Sequence, residues 1–247
     1  MSKEYQKKYI NNEIKEIVDN IQRLKEENNQ NFSVKQLEGT KKKLEVRLKK
    51  LTDDTKKDNV LTFEELGVDK LIVDEAHSFK NLYLFTKMRN VAGIGQTEAL
   101  KSSDMFMKCR YLDEITNGKG IVFATGTPVS NSMSELYTMQ RYLQYSGLKN
   151  YGHQNFDSWA STFGETITAI ELSPEGNGYR AKTRFSKFYN LPELMNQVKQ
   201  FADIQTADML KLPVPEVEYK KVLTKPTEDQ QDILFGLGIR AEAVRDK

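Results

Sequence analysis

The chain has 247 residues, of which 38% are hydrophobic and 29% charged, so it can bury a sizeable core and is neither disordered nor fibrous. Its 37 basic and 35 acidic residues give a net charge of +2, and any attraction to nucleic acid must therefore come from local basic patches. A single cysteine, Cys109, excludes an internal disulfide and a thiolate zinc site, which is typical of a reducing cytoplasm. The opening residues lack a signal-peptide pattern and no apolar run reaches membrane-spanning length, so we expect no membrane partner.

Residues 1–60 are predicted to form an antiparallel helical hairpin of the coiled-coil type. The first helix carries an apolar seam with alternating steps of four and three, made by Ile10, Ile14, Ile17, Ile21 and Leu24. A polar break at 28–31 precedes a second seam, made by Leu37, Leu44, Leu48 and Leu51. The basic stretch from Lys41 to Lys50 could contact phosphates, although a solvated helix face balanced by glutamates is the interpretation that we favour.

Residues 61–150 are predicted to contain a parallel sheet. A short helix with a capping box at Thr62 and Glu65 leads to the aliphatic run 71–73, which predicts a strand buried on both faces. A second apolar run, 121–123, predicts another strand. The intervening segment is long enough for a crossover helix, whose buried face would be formed by Phe106, Cys109, Leu112 and Ile115. Together these elements predict a right-handed βαβ unit.

Each predicted strand ends in a polar loop. Asp74 and Glu75 follow the first strand, and Thr125 to Pro128 follow the second. Ligands of open α/β sheets bind at the carboxyl ends of the strands, and phosphoryl-transfer enzymes hold Mg²⁺ with an acid in this position. For the acidic pair alone a solvated turn is the simpler interpretation, but the similar second stretch favours a functional one. After Pro128 a further helix is predicted, with Ser132 and Glu135 at capping-box spacing.

Residues 151–215 are predicted to form an accessory region of helices and a β-hairpin. Phe156, Trp159 and Phe163 have helical spacing and suit a core anchor. The segments 166–172 and 179–185 flank a turn-rich stretch and predict the two arms of the hairpin. The second arm is basic. Two interpretations of it are equally favoured: it contacts a nucleic-acid backbone, or it is a solvated edge strand. Its cations are Arg180, Lys182, Arg184 and Lys187.

Residues 216–247 are predicted to begin another α/β unit. Apolar and polar residues alternate from Val217 to Leu223, which predicts a strand. Thr227 and Gln230 then have the spacing of a capping box at the start of a last helix.

The two polar loops and their flanks resemble motifs of a known family. Asp74-Glu75-Ala76-His77 with Lys80-Asn81, and Thr125-Gly126-Thr127-Pro128 with Asn131 and Glu135-Leu136, are similar to the second and third motifs of superfamily-two helicases, in particular the Swi/Snf-type DNA translocases. The surrounding sequence most resembles the large methyltransferase-helicase polypeptides of phages and conjugative elements. The specific motifs cover roughly residues 61–145.

The resemblance implies an α/β fold class, with a partial RecA-like parallel-sheet ATPase lobe at 61–150 and the start of a second such lobe at 216–247. ATP and Mg²⁺ would be the cofactors. Asp74 would hold Mg²⁺ through water, and Glu75 would orient or deprotonate the water that attacks the γ-phosphate. His77 would bridge the nucleotide site to a coupling loop formed by Thr125, Gly126, Thr127 and Pro128.

The resemblance also implies that DNA is the partner, and we expect it to be double-stranded. The candidate DNA contacts are Lys80, Asn81, Asn131, Arg180, Lys182 and Arg184. The protein would be cytoplasmic and either prokaryotic or phage-encoded.

The chain also departs from the family pattern, since it contains no Gly-x-x-x-x-Gly-Lys-Ser/Thr phosphate loop. We therefore expect an internal piece of a longer ATPase, whose missing lobes are partners from the same polypeptide, and little hydrolysis by the piece alone. The alternative hypothesis is a catalytically dead helicase-like scaffold that binds DNA or a protein partner.

Overall fold

The computed structural model describes residues 1–26, 31–53, 61–88, 90–95, 99–130, 132–173, 178–211, 213 and 215–245, and it is a mixed structure of helices and two small sheets. The helices are α1 (Lys3–Glu26), α2 (Asn31–Asp53), α3 (Leu100–Thr116), α4 (Ser134–Leu143), α5 (Tyr145–Asn150), α6 (Phe156–Phe163), α7 (Leu191–Val198), α8 (Ala207–Leu210) and α9 (Glu228–Arg245). The strands are β1 (Leu71–Val73), β2 (Val91–Ala92), β3 (Ile121–Phe123), β4 (Gly164–Leu172) and β5 (Tyr179–Phe188). Across these ranges, no helix has an apolar stretch long enough to cross a bilayer.

The predicted pair of N-terminal helices is present as α1 and α2. Ile21 and Leu24, near the end of α1, pack against Val34 and Leu37, near the start of α2, so the two helices run antiparallel. Phe85 from the following region contacts the same cluster. Of the two predicted seams, Ile21, Leu24 and Leu37 therefore form this contact, with Ile17 packed against them, and Phe85 attaches it to the rest of the chain.

Strands β1 and β3 form the predicted parallel pair, with α3 between them in sequence. Leu71, Ile72 and Val73 are in register with Ile121, Val122 and Phe123. The prediction that the first strand is buried on both faces is wrong, because Ile72 is 70% exposed and Val122 beside it is 43% exposed. The reason is that α3 and α4 cover only the opposite face, where Ile121 and Phe123 pack with Phe106 and Tyr142.

Helix α3 has the predicted buried face over most of its length. Phe106, Cys109 and Leu112 are buried, whereas Ile115 is half-exposed, so the prediction is wrong at the last turn. Gly120 then begins the path into β3, and a Cβ there would lie 2.8 Å from the Asp69 carbonyl oxygen. Glycine is therefore required where the backbone enters the sheet beside β1.

The accessory region forms around the predicted hairpin. Strands β4 and β5 pair antiparallel from Gly164↔Phe188 to Leu172↔Tyr179, and β2 adds to β5 in parallel. Phe185 on β5 packs against Phe156 and Trp159 on α6, as the aromatic spacing of α6 predicted. A Cβ at Gly164 would overlap the Phe185 ring, so the junction of α6 and β4 also requires glycine.

The C-terminal part differs from the prediction. Helix α7 begins at Leu191, and Pro192 lies in its first turn, where its missing N–H costs no hydrogen bond. The strand predicted from Val217 to Leu223 is absent, because no neighbouring strand among the described residues is available to pair with this segment. Helix α9 does begin after Thr227, but its apolar side chains are exposed, and they are Ile233, Leu234, Phe235, Leu237 and Ile239.

Candidate functional site

The parallel pairing of β1 and β3 brings the two polar loops together at one end of the sheet. The Ala124 N–H donates to the Val73 carbonyl oxygen at 2.8 Å, and the Ala76 N–H donates to the Ala124 carbonyl oxygen at 3.0 Å. These bonds continue the ladder beyond the strands, so the loop that starts at Asp74 lies beside the loop that starts at Thr125. We call this edge, formed by residues 74–77 and 125–128, the rim.

Asp74 and Glu75 are exposed at the rim. Oδ1 of Asp74 accepts a hydrogen bond of 2.8 Å from the Glu75 backbone N–H, and Asp74 forms no ion pair with any residue that the structure describes. Glu75 has a left-handed backbone, with φ 50° and ψ 44°. This conformation is uncommon for a residue with a Cβ and is concentrated at functional sites, where the surrounding structure holds it in place.

His77 contacts both loops of the rim. Its Nδ1 lies 3.0 Å from Oε2 of Glu75 and 3.2 Å from Oγ1 of Thr125. A protonated Nδ1 can donate to either oxygen, whereas an unprotonated one accepts from the threonine hydroxyl. Oγ1 of Thr125 also accepts from the Thr127 N–H at 3.2 Å. The His77 side chain therefore links the acidic loop to the threonine hydroxyl that helps to fix the backbone of the second loop.

Lys80 and Glu135 join the flanks of the two loops. Nζ of Lys80 donates to Oε2 of Glu135 at 2.9 Å and to Oγ of Ser130 at 2.9 Å. The same glutamate oxygen accepts from the Ser130 N–H at 2.7 Å. The lysine and glutamate side chains are only 10% and 14% exposed. This cluster was not foreseen from the sequence, because only the folded loops bring Ser130 and Glu135 to Lys80.

The remaining residues of the two motifs have different surroundings. The Asn81 carbonyl oxygen accepts from the Ala99 N–H at 3.0 Å, just before α3 begins. Gly126 and Pro128 are exposed at the rim. Asn131 lies outside the described residues. The predicted DNA-binding roles of Lys80 and Asn81 stay predictions, and Lys80 is held by partners within its own site.

The basic arm of the hairpin gathers around one carboxylate. Glu171 Oε1 lies 3.0 Å from Nη2 of Arg180 and 3.9 Å from Nζ of Lys182, and its Oε2 lies 2.5 Å from Nη2 of Arg184. The hydrogen bond from Arg184, together with that from Arg180, lowers the pKa of the Glu171 carboxyl. Three cations around one anion leave this face of the hairpin positive.

Strand β2 connects the basic arm to the start of α4, the helix that follows the threonine loop of the rim. Ala92 of β2 is in register with Arg184 of β5, and the adjacent Gly93 carbonyl oxygen accepts from Oγ of Ser134 at 3.3 Å. Ser134 is the first residue of α4, which follows the threonine loop. The two groups of predicted site residues are therefore separate clusters joined by a short strand.

The rim offers a carboxylate suited to Mg²⁺, but in the described part of the chain no group of three or more His, Cys, Asp or Glu side chains could hold a metal ion. Mg²⁺ usually takes one or two protein carboxylates and completes its octahedron with waters and substrate phosphates. Asp74 offers an exposed carboxylate that forms no ion pair within the described ranges, and its Oδ2 is not taken up by the hydrogen bond from Glu75. Asp74 is therefore the residue that would hold the ion.

Comparison with known proteins identifies the class. Residues 1–206 match the family described as a probable helicase domain, so the chain belongs to this helicase-domain family. It is also 30% identical over 193 residues to the "Defense against restriction protein B" of Escherichia phage P1. That alignment covers 73% of this chain and 8% of the phage protein, so the chain spans a small part of that relative's length. No solved structure matches the chain.

Proposed function

We propose that the chain is part of an ATP-dependent DNA helicase or translocase of superfamily two, of the Swi/Snf type, within a larger phage or mobile-element polypeptide. The proposal rests mainly on one observation, the adjacency of the acidic loop and the threonine loop at the rim, with His77 in contact with both. Membership of the helicase-domain family and the similarity to a phage protein are consistent with it.

In this proposal the rim is the water-activating half of an ATPase site. ATP bound with Mg²⁺ would supply the γ-phosphate for attack and a cation to neutralise its charge. Asp74 would hold the ion, and Glu75 would orient the attacking water and accept its proton on a carboxylate oxygen. The left-handed backbone of Glu75 directs this side chain, and the hydrogen bond from a protonated His77 Nδ1 steadies it.

His77 and the threonine loop would couple the nucleotide to the grip on DNA. A change in the position of the Glu75 carboxylate alters the hydrogen bonding of His77, which shares its Nδ1 with Thr125. Because the Thr125 hydroxyl also accepts from the Thr127 N–H, the change reaches the conformation of the loop. The exposed Gly126 and Pro128 belong to the part of the loop that would then move.

The rest of the ATPase would come from other parts of the same polypeptide. Parallel sheets are normally covered on both faces, yet one face of the β1–β3 pair is open at Ile72 and Val122. The sequence also lacks a phosphate loop. We therefore expect the 247-residue chain by itself to bind nucleotide weakly and to hydrolyse little ATP.

The direct test is DNA-stimulated ATP hydrolysis by the longest natural polypeptide that contains this chain. Glu75→Gln removes the proton acceptor while keeping its size, and we expect kcat to fall by at least about 100-fold. Glu45→Gln, a partly exposed glutamate on α2, serves as the matched control and should leave kcat unchanged. Equal rates for the wild type and Glu75→Gln would remove Glu75 from the mechanism, and no hydrolysis by the wild type would favour the scaffold hypothesis.

A further inference from the structure

The β4–β5 hairpin has two chemically different faces. Side chains alternate along each strand, so the register fixes which residues share a face. Glu171 pairs with Arg180, and the same face carries Lys182 and Arg184. The other face carries Leu172 paired with Tyr179, together with Ile170. One face is therefore cationic and the other is apolar towards the end of the hairpin.

The cationic face has more positive charge than its own anion can neutralise. Glu171 is the shared partner of Arg180, Lys182 and Arg184, and the three cations keep between a third and a half of their side-chain surface exposed. Alternate residues of a strand lie roughly 6.8 Å apart, so the cations form a row of about 14 Å along β5. A row of preorganised cations on one face of the hairpin is suited to successive phosphates of a nucleic-acid backbone.

The apolar face changes from buried to exposed along its length. Near the base, Phe185 is buried in the core. In the middle, the hydroxyls of Thr168 and Thr183 lie 2.8 Å apart across the strands. Beyond them Ile170 and Tyr179 are each 77% exposed, and their face carries no cation in the described part of the hairpin. An exposed tyrosine ring beside aliphatic side chains is a surface on which a base can stack.

We propose that this hairpin binds an unpaired nucleic-acid strand, with phosphates on the row from Arg180 to Arg184 and bases against the apolar end at Tyr179. The inference rests on the proposed DNA-dependent function and specifies the form of nucleic acid that the accessory region takes. Tyr179 and Arg180 are consecutive residues on opposite faces, so a single strand that follows the cationic row and passes around the hairpin at Arg180 can place a base against Tyr179. The bases of an intact duplex are stacked on one another and cannot reach Tyr179.

The experiment measures binding of the 247-residue chain to fluorescent 20-nucleotide oligo-dT and to a 20-base-pair duplex by anisotropy, over a range of salt concentrations. We expect the single strand to bind more tightly than the duplex. Tyr179→Ala should weaken single-strand binding about tenfold without changing its salt dependence, because it removes stacking and no charge. Tyr219→Ala, a fully exposed tyrosine in the C-terminal segment, is the matched control and should have no effect.

Charge variants test the other face. Arg180→Ala should reduce the salt slope of single-strand binding by about 0.7, the value for one lost phosphate contact. Glu171→Gln should strengthen binding severalfold, because it releases the three cations from their own carboxylate. Binding to neither nucleic acid, equal binding to both, or equal effects of Tyr179→Ala and Tyr219→Ala would overturn the proposal. Since no step of this assay needs ATP, loss of ATP hydrolysis in the longer polypeptide would not affect it.

Discussion

At the scale of single residues, the cluster around Lys80 shows how the two motifs are fastened to each other. One oxygen of Glu135 accepts from the Lys80 ammonium and from the Ser130 N–H, and both charged side chains are nearly buried. Removing only one member of such a pair leaves the other charge desolvated and uncompensated. Disrupting the cluster at only one of its two charged residues should therefore destabilise the folded chain.

We predict that Lys80→Met destabilises the 247-residue chain by about 2 kcal/mol, because Glu135 keeps its charge without its cation. The measurement is the urea midpoint of unfolding. Replacing Glu135 as well, in Lys80→Met/Glu135→Leu, should recover part of the loss. Lys108→Met breaks the more exposed pair with Asp104 and should cost less than about 0.5 kcal/mol. Equal effects of the two lysine substitutions would contradict this account.

Several buried acids, Cys109 and Tyr137 among them, make stability depend on alkaline pH. Burial is the main cause of both shifts: it raises the pKa of the Cys109 thiol to about 12 and the pKa of the Tyr137 hydroxyl to about 12. Both groups ionise more readily in the unfolded chain, so their contribution is complete below about pH 9 and is lost as the pH rises towards 12. The free energy of unfolding should therefore fall between pH 9 and 11, and Cys109→Ala should make that fall less steep. A constant free energy of unfolding over this range would contradict the prediction that these buried acids make the folded chain less stable at alkaline pH.

At the scale of elements, a predicted capping box forms where no distant group competes for its side chains. The capping boxes at Thr62 with Glu65 and at Thr227 with Gln230 both form their reciprocal hydrogen bonds, although residues 63–67 form turns instead of the predicted helix. The box predicted for Ser132 and Glu135 has the same spacing but does not form. Glu135 is taken instead by Lys80, which is 55 residues away in the sequence, and by Ser130.

The open face of the β1–β3 pair leads to a prediction about strand burial. In the 247-residue chain, Ile72→Ser should cost less than about 0.5 kcal/mol, since Ile72 is largely exposed. Val73→Ser, on the buried side of the same strand, should cost about 2 kcal/mol. In the longer polypeptide, where we propose that the open face is covered, Ile72→Ser should become similarly costly. The measurement is the thermal unfolding of both variants in both proteins. A small loss of stability for Ile72→Ser in both proteins would contradict the proposal that the longer polypeptide covers this face.

At the scale of the whole molecule, the sequence was sufficient to predict the helical pair, the parallel strands and the adjacency at the rim. Each follows from local periodicity and from the rule that parallel strands end at a common edge. The exposure of Ile72 depends on which elements cover the sheet, which the strand pattern does not reveal. The grouping of three cations on Glu171 depends on the register between the two strands, and the sequence of this turn does not determine that register. The strand expected at Val217 needed a pairing partner that the described chain does not provide.

The most direct test of the central claim is an experimental structure of the longest natural polypeptide with Mg²⁺, a non-hydrolysable ATP analogue and DNA. We predict that the terminal phosphate faces the rim, that Asp74 reaches the ion directly or through one water, and that the Glu75 carboxylate lies beside the position of the attacking water. His77 should remain in contact with Thr125. A nucleotide bound elsewhere, with Asp74 and Thr125 facing no ligand, would contradict the assignment of the rim as half of an ATPase site.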